Sequence, residues 1–257
     1  MEPMMTFALG MVMGIIIAMT SVGGGIIMVP ILLHAGIGAV YAIGANFFFV
    51  LTVKSISAIK YYRMGEVDIH SLKPMLASAG IGLVSGLCFL WWLTTYYPGD
   101  VVESAIVGLL TIAILLSAGM YAGNELAHLS QRVGRGKWLV TLSGLLTGFI
   151  TQTTSVGSGV FTLMMLSRHF ESPHKLIGTN MVFSLVIMLV AAIGYLSVGK
   201  VDVLLTMMLI GGGAPGMMLG WRMSQRLTER QHRAVLTLTI GLSVLLMLMK
   251  VLGKVLG

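Results

Sequence analysis

Between its charge clusters this chain runs in long apolar stretches, near residues 72–95, 101–122, 202–222 and 232–252. Two longer stretches, 39–62 and 174–198, also carry polar residues. About 20 apolar residues in a helix span a bilayer, and backbone crosses hydrocarbon only where its hydrogen bonds are made internally. Such stretches fold into membrane-spanning helices and into little else. Only 10% of the 257 residues are charged, against about 25% in an ordinary soluble domain, so almost no chain is left for an extramembrane domain. The fold class expected is an all-α polytopic membrane protein, multi-pass and embedded in a lipid bilayer.

Two further apolar stretches, about 7–35 and 138–169, are broken in the middle by glycines, and the breaks match. Sliding the chain against itself by 134 residues aligns Gly10–Gly86 with Gly144–Gly220 without a gap. Identical residues fill 22 of the 77 positions, where composition alone gives roughly six. Thr20-Ser21-Val22-Gly23-Gly24-Gly25 returns as Thr154-Ser155-Val156-Gly157-Ser158-Gly159, Gly44-Ala45-Asn46 as Gly178-Thr179-Asn180, and Gly65-Glu66-Val67-Asp68 as Gly199-Lys200-Val201-Asp202. Glycines and polar residues dominate these matches, which a shared excess of leucine does not produce. The chain is therefore expected to be a duplication: a first transmembrane repeat over 1–130 and a second over 131–257.

Charge sets the expected orientation. If both broken stretches cross the membrane, loop Lys and Arg divide 9 to 6 between the faces. If each enters and returns as a re-entrant hairpin, the division becomes 12 to 3, with Lys200, Lys250 and Lys254 alone on the poorer side, which fits the positive-inside rule far better. Each half then holds a glycine-broken helix pair and three spanning helices. That is an odd number of crossings, so the repeats are inverted and both Met1 and Gly257 face outward. A broken helix that crosses is the other arrangement the sequence allows.

Irregular backbone in hydrocarbon survives only when buried in protein or lining a wet cavity, and paired broken segments in an inverted repeat point to a transporter site near the midplane. Half-helices beginning near Ile26 and Val160 would turn free N–H groups and a positive dipole end toward that site, which favours an anion. Gly23, Gly24 and Gly25 permit close backbone approach. Thr20, Ser21, Thr154 and Ser155 can cap the half-helices or donate to a ligand. With Gly157, Ser158 and Gly159 they form the candidate substrate-binding set. Asn46 and Asn180, a few residues into the following helix, join it, either by contacting substrate or by bonding to the broken backbone. Gln152 is a weaker member, because its counterpart is Ala18. The glycines Gly10/Gly14, Gly82/Gly86 and Gly216/Gly220 read instead as close helix packing.

Lys54 lies inside an apolar run, and every Asp and Glu lies at or beyond a segment end. A lysine at the membrane centre costs about 2.5–3.5 kcal/mol. Either its stem snorkels to the interface, or its ammonium faces the cavity with the transported anion as counter-charge. Met188 stands in its place in the other half.

Several other functions lack support. The first residues carry no positive n-region or cleavage site, so the first apolar segment is expected to stay. The formal charge of +7 comes from short connections between apolar runs, as membrane orientation signals do, and no nucleic-acid partner is expected. Cys88 is the single cysteine and the six histidines are scattered at segment ends, so no metal or other cofactor is expected. No nucleotide-binding loop is present, and no histidine stands deep in a later span to activate Ser158, so an enzyme is not expected. A small anionic substrate is the expected partner, and a homo-oligomer is left open.

Val22-Gly23-Gly24-Gly25 followed by Pro30, then Gly44-Ala45-Asn46, then Tyr61-Tyr62-Arg63-Met64-Gly65-Glu66-Val67-Asp68, with the pattern repeated in the second half, resemble the sulfite exporter TauE/SafE family of membrane permeases over nearly the whole chain. The resemblance implies an eight-segment, two-repeat fold in the bacterial inner (plasma) membrane. It also implies export or exchange of small sulfur-containing anions such as sulfite, sulfoacetate or other organosulfonates. Ser158 replaces Gly24, and Met164 replaces Pro30, so the two breaks differ. The function expected is a secondary transporter alternating access around a midplane anion site. An anion-selective channel is the competing possibility, since a basic, glycine-lined constriction also conducts.

Overall fold

The computed structural model describes residues 2–20, 23–127, 137–157, 162, 173–197, 201–224 and 226–256. All regular structure among the described residues is helical: α1 (Pro3–Thr20), a 3₁₀ turn (Gly24–Ile26), α2 (Met28–His34), α3 (Ala39–Arg63), α4 (Ile69–Tyr96), α5 (Gly99–Ala127), α6 (Lys137–Thr154), α7 (Pro173–Ser197), α8 (Val203–Ser224) and α9 (Glu229–Leu256). Six helices are long and apolar enough to cross a membrane, in α1, α4, α5, α7, α8 and α9. The chain is thus an all-α polytopic membrane protein, and each apolar run forms the helix its length requires.

Two repeated motifs punctuate the helices. Asp68 caps α4, its carboxylate accepting from the His70 and Ser71 N–H groups at 3.0 and 3.4 Å and from the Ser71 hydroxyl at 2.6 Å. Asp202 does the same for α8, accepting from Leu205 N–H at 2.9 Å. The Asp68/Asp202 identity therefore reflects two equivalent helix starts. Gly65, at φ +72°, ends α3 in the left-handed conformation that lets the Gly65 and Glu66 N–H groups bond back to the Tyr62 and Tyr61 carbonyls.

Without a hydrophobic force between helices in lipid, association rests on close packing, and small residues allow it. α1 lies along α8, with Gly10, Gly14, Gly216 and Gly220 against the Leu209, Gly213, Met11 and Ile15 carbonyls. α4 lies along α6 through the counterparts 134 residues away: Gly144, Gly148, Gly82 and Gly86 against the Met75, Ala79, Leu145 and Phe149 carbonyls. Residue numbers rise together across each contact, so both pairs run parallel. α3 and α7 run antiparallel: the Phe47 and Tyr195 rings meet at 5.2 Å, and the Thr179 hydroxyl accepts from Asp68 N–H at 2.8 Å.

The first broken stretch enters and returns. Pro3 and Thr6 at the start of α1 share a cavity with Ile37, past the end of α2. The far end of α1 meets the start of α9, where His232 contacts the Met19 carbonyl, while the end of α2 meets Lys250 near the other end of α9. Of the second stretch, α6 and residues 155–157 and 162 are described.

Candidate functional site

The two breaks touch. A Cβ on Gly25 would collide with the Ser155 carbonyl and lie 2.9 Å from its hydroxyl, so only glycine lets the first break lie against the second. Ser155 itself holds φ +57°, a left-handed conformation rare outside glycine, and Gly157 follows at φ +123°. α6 thus ends abruptly. The Thr154 hydroxyl donates to Ile150 O at 2.6 Å and accepts from Val156 N–H at 3.2 Å, while the Thr162 hydroxyl donates to Gly157 O at 2.8 Å and meets the Thr147 hydroxyl at 3.1 Å. Hydroxyls replace the backbone partners that the break removes.

Asn46 of α3 ties the junction together. Its Nδ2 donates to the Ser155 hydroxyl at 3.0 Å, across 109 residues of sequence. Its Oδ1 lies where a Cβ on Gly24 would come within 2.6 Å, so the missing side chain at Gly24 makes room for this amide. Oδ1 has no hydrogen-bond partner. Asn180, the counterpart on α7, is 1% exposed, and neither end of its amide has a partner among the described residues. Thr151 Oγ1, Gln152 Nε2 and the Tyr195 hydroxyl are likewise buried and unpartnered. Leaving a buried polar group unbonded costs about 1–3 kcal/mol, and native structures hold few such groups without a reason. Thr151 and Gln152 lie within four residues of Ser155, so the second break is bordered by spare hydrogen-bonding capacity.

Gly24, Gly25, Asn46 and Ser155 meet here, whereas Asn180, fifteen residues before Tyr195 on α7, lies about 22 Å along that helix from it. Gly23, Gly24, Gly25, Asn46, Gln152, Thr154, Ser155, Gly157 and Asn180 are all buried. Ser21, Ser158 and Gly159 lie outside the described residues. The Thr20 hydroxyl donates to Ile16 O in its own helix at 2.7 Å. A threonine in a final helical turn reaches its own helix's carbonyl more readily than donors beyond a chain reversal. Lys54 is 2% exposed, so its ammonium does not snorkel to the surface. It follows Asn46 and Val50 at four-residue spacing on one face of α3, and both of those residues face Gly24. Thr151 and Tyr195 were not anticipated. The Tyr61/Tyr195 identity in the repeat was the available signal for the tyrosine, whereas Thr151, facing Ile17 in the alignment, offered none.

A helical membrane protein with two broken segments in contact, around polar groups that no lipid can satisfy, is built as a membrane transporter. The sequence profile of the sulfite exporter TauE/SafE family matches residues 6–247, and the chain belongs to that family. It is 23% identical to "Probable membrane transporter protein YjnA" of Bacillus subtilis (strain 168), over 91% of this chain and 95% of that protein. It is 24% identical to "Probable membrane transporter protein YdhB" of the same organism, over 92% and 96%. Against "Probable membrane transporter protein ORF9" of Sinorhizobium sp the identity is 32%, over 55% and 52%. No solved structure matches the chain.

Proposed function

We propose that the chain is a secondary transporter of small sulfur-containing anions such as sulfite or organosulfonates, with alternating access around the junction of its two breaks in the bacterial plasma membrane. The observation that carries this reading is the contact of Gly25 with Ser155, bridged by Asn46 and surrounded by buried amides and hydroxyls with unused hydrogen-bonding capacity. Neutral N–H and O–H donors solvate an oxyanion without the cost of burying a second full charge. The Gln152 amide and the Thr151 and Tyr195 hydroxyls supply such donors, and Lys54 supplies one cation. The parallel pairs α1/α8 and α4/α6 and the antiparallel pair α3/α7 support two repeats, 1–130 and 131–257, of opposite orientation. Rocking one repeat against the other would then expose the junction to each side in turn.

Counterflow in proteoliposomes tests the reading. Vesicles preloaded with unlabelled sulfite or an organosulfonate should take up labelled substrate saturably and faster than empty ones. Anion current without accelerated exchange overturns it in favour of an anion-selective channel. A periplasmic-type reporter fused after Gly257 should be active, and activity of a cytoplasmic-type reporter alone overturns the inverted orientation.

A further inference from the structure

Helix α9 grips the first broken stretch on both sides of its break. Near its start, the His232 ring lies between two carbonyl oxygens, with Nδ1 2.9 Å from Met19 O in the last turn of α1 and Nε2 3.1 Å from Ser224 O at the end of α8. Near its other end, Lys250 Nζ donates to Leu33 O in the last turn of α2 at 3.0 Å. The two grips are 18 residues apart, or about 27 Å along a helix.

A carbonyl oxygen only accepts, and a neutral imidazole has one donor and one acceptor nitrogen. In either neutral tautomer, one ring nitrogen turns a lone pair toward a carbonyl lone pair. Only the imidazolium satisfies both contacts. We propose that His232 is a proton-binding site. Protonated, it latches the break-proximal end of α1 to the end of α8; on losing the proton, it releases one carbonyl and severs the bridge. The step is the transfer of one proton between solvent and the half-buried ring, and no other bond changes.

Several charges and helix ends surround the ring. The C-terminal ends of α1 and α8 favour a cation there. Against it stand the N-terminal end of α9's own dipole, Arg222 in the last turn of α8, Arg226 in the connection, and Arg230 and Arg233 on α9; Glu229 is the acidic residue of that turn. α1 brings no charged residue in its last turn. Ser224 O also accepts from Leu227 N–H at 3.3 Å.

Hydrogen exchange of the full chain in lipid nanodiscs, expressed as protection factors so that intrinsic pH effects cancel, tests the latch without reading transport. From pH 5.5 to 8.0, across the ordinary histidine range, protection at the end of α1 should fall tenfold or more. Protection around Leu33, held by the lysine, should change less than twofold. His232→Gln, neutral throughout, should show the low value at both pH values, and His232→Lys the high value at both. Equal protection of the wild-type α1 end at the two pH values overturns the proposal, and that comparison needs no variant to fold. Survival of the pH dependence in His232→Gln overturns it as well.

Discussion

Asn180→Leu separates a group held for a ligand from one held for the fold. Among the described residues the buried Asn180 amide has no partner at either end, and an orphan of that kind costs the folded state about 1–3 kcal/mol. Leucine has a similar shape and no polar atoms, and it should recover most of that cost. At about 2–4 °C per kcal/mol for a domain approaching this size, the melting temperature in detergent should rise by several degrees. Asn46→Leu should do the opposite. It removes the 3.0 Å bond to the Ser155 hydroxyl and leaves that hydroxyl buried without its donor, a loss of about 1–3 kcal/mol. Counterflow should fall at least tenfold in both variants. The assay pairs a thermal melt with proteoliposome exchange for each. If Asn180→Leu melts as low as Asn46→Leu, the amide serves the fold and the reasoning fails. If it melts higher yet transports normally, Asn180 is not part of the site.

Gly25→Ala should leave a folded, monodisperse protein that transports poorly, because the new methyl drives the Ser155 backbone away from the first break; Gly82→Val should instead lower the melting temperature first, since it parts α4 from α6. Lys54→Met should weaken anion binding tenfold or more, about 1.4 kcal/mol, with Lys54→Arg partly restoring it; calorimetric titration reads both, and unchanged affinity in Lys54→Met removes the lysine from the site. For Asp68, burial pushes the carboxyl upward, but the Ser71 hydroxyl, the Ser71 and His70 N–H groups and the His70 charge outweigh it and hold it below the usual carboxylate range. Its folded value is depressed, so its contribution is present above the unfolded value near pH 4 and lost as pH falls through the folded one. Asp68→Ala should therefore melt lower at pH 7, by a capping loss of about 0.5–2 kcal/mol, and converge with wild type in melts at pH 2–3.

The sequence made the helices and the breaks legible because both leave local marks: apolar length for the first, glycine within an apolar run for the second. The packing role of Gly10/Gly14, Gly82/Gly86 and Gly216/Gly220 was legible too, and each now faces a carbonyl of a neighbouring helix. The partner of each helix was not. In lipid, an apolar side chain serves equally well against a neighbour or a fatty acyl chain, so hydrophobicity does not mark the buried face. Ile187 and Met188 are buried while Leu189 and Val190, next in the same run, are exposed. The bond from Asn46 to Ser155 joins the two halves across 109 residues, and no periodicity in either half encodes it.

Where a contact is made through backbone, as at the facing glycines, or through a helix start, as at Asp68 and Asp202, the two halves carry the same residue, because any Cβ or lost cap would separate helices in both. Several side-chain positions differ, Lys54 answering to Met188, Gln152 to Ala18 and Thr151 to Ile17, whereas Asn46 and Asn180 match. The framework is thus close to symmetric while its polar lining is not, and the two kinds of asymmetry fall on different halves, the cation on the first and the amide and hydroxyl beside the break on the second. An anion between the breaks would meet charge from one side and neutral donors from the other.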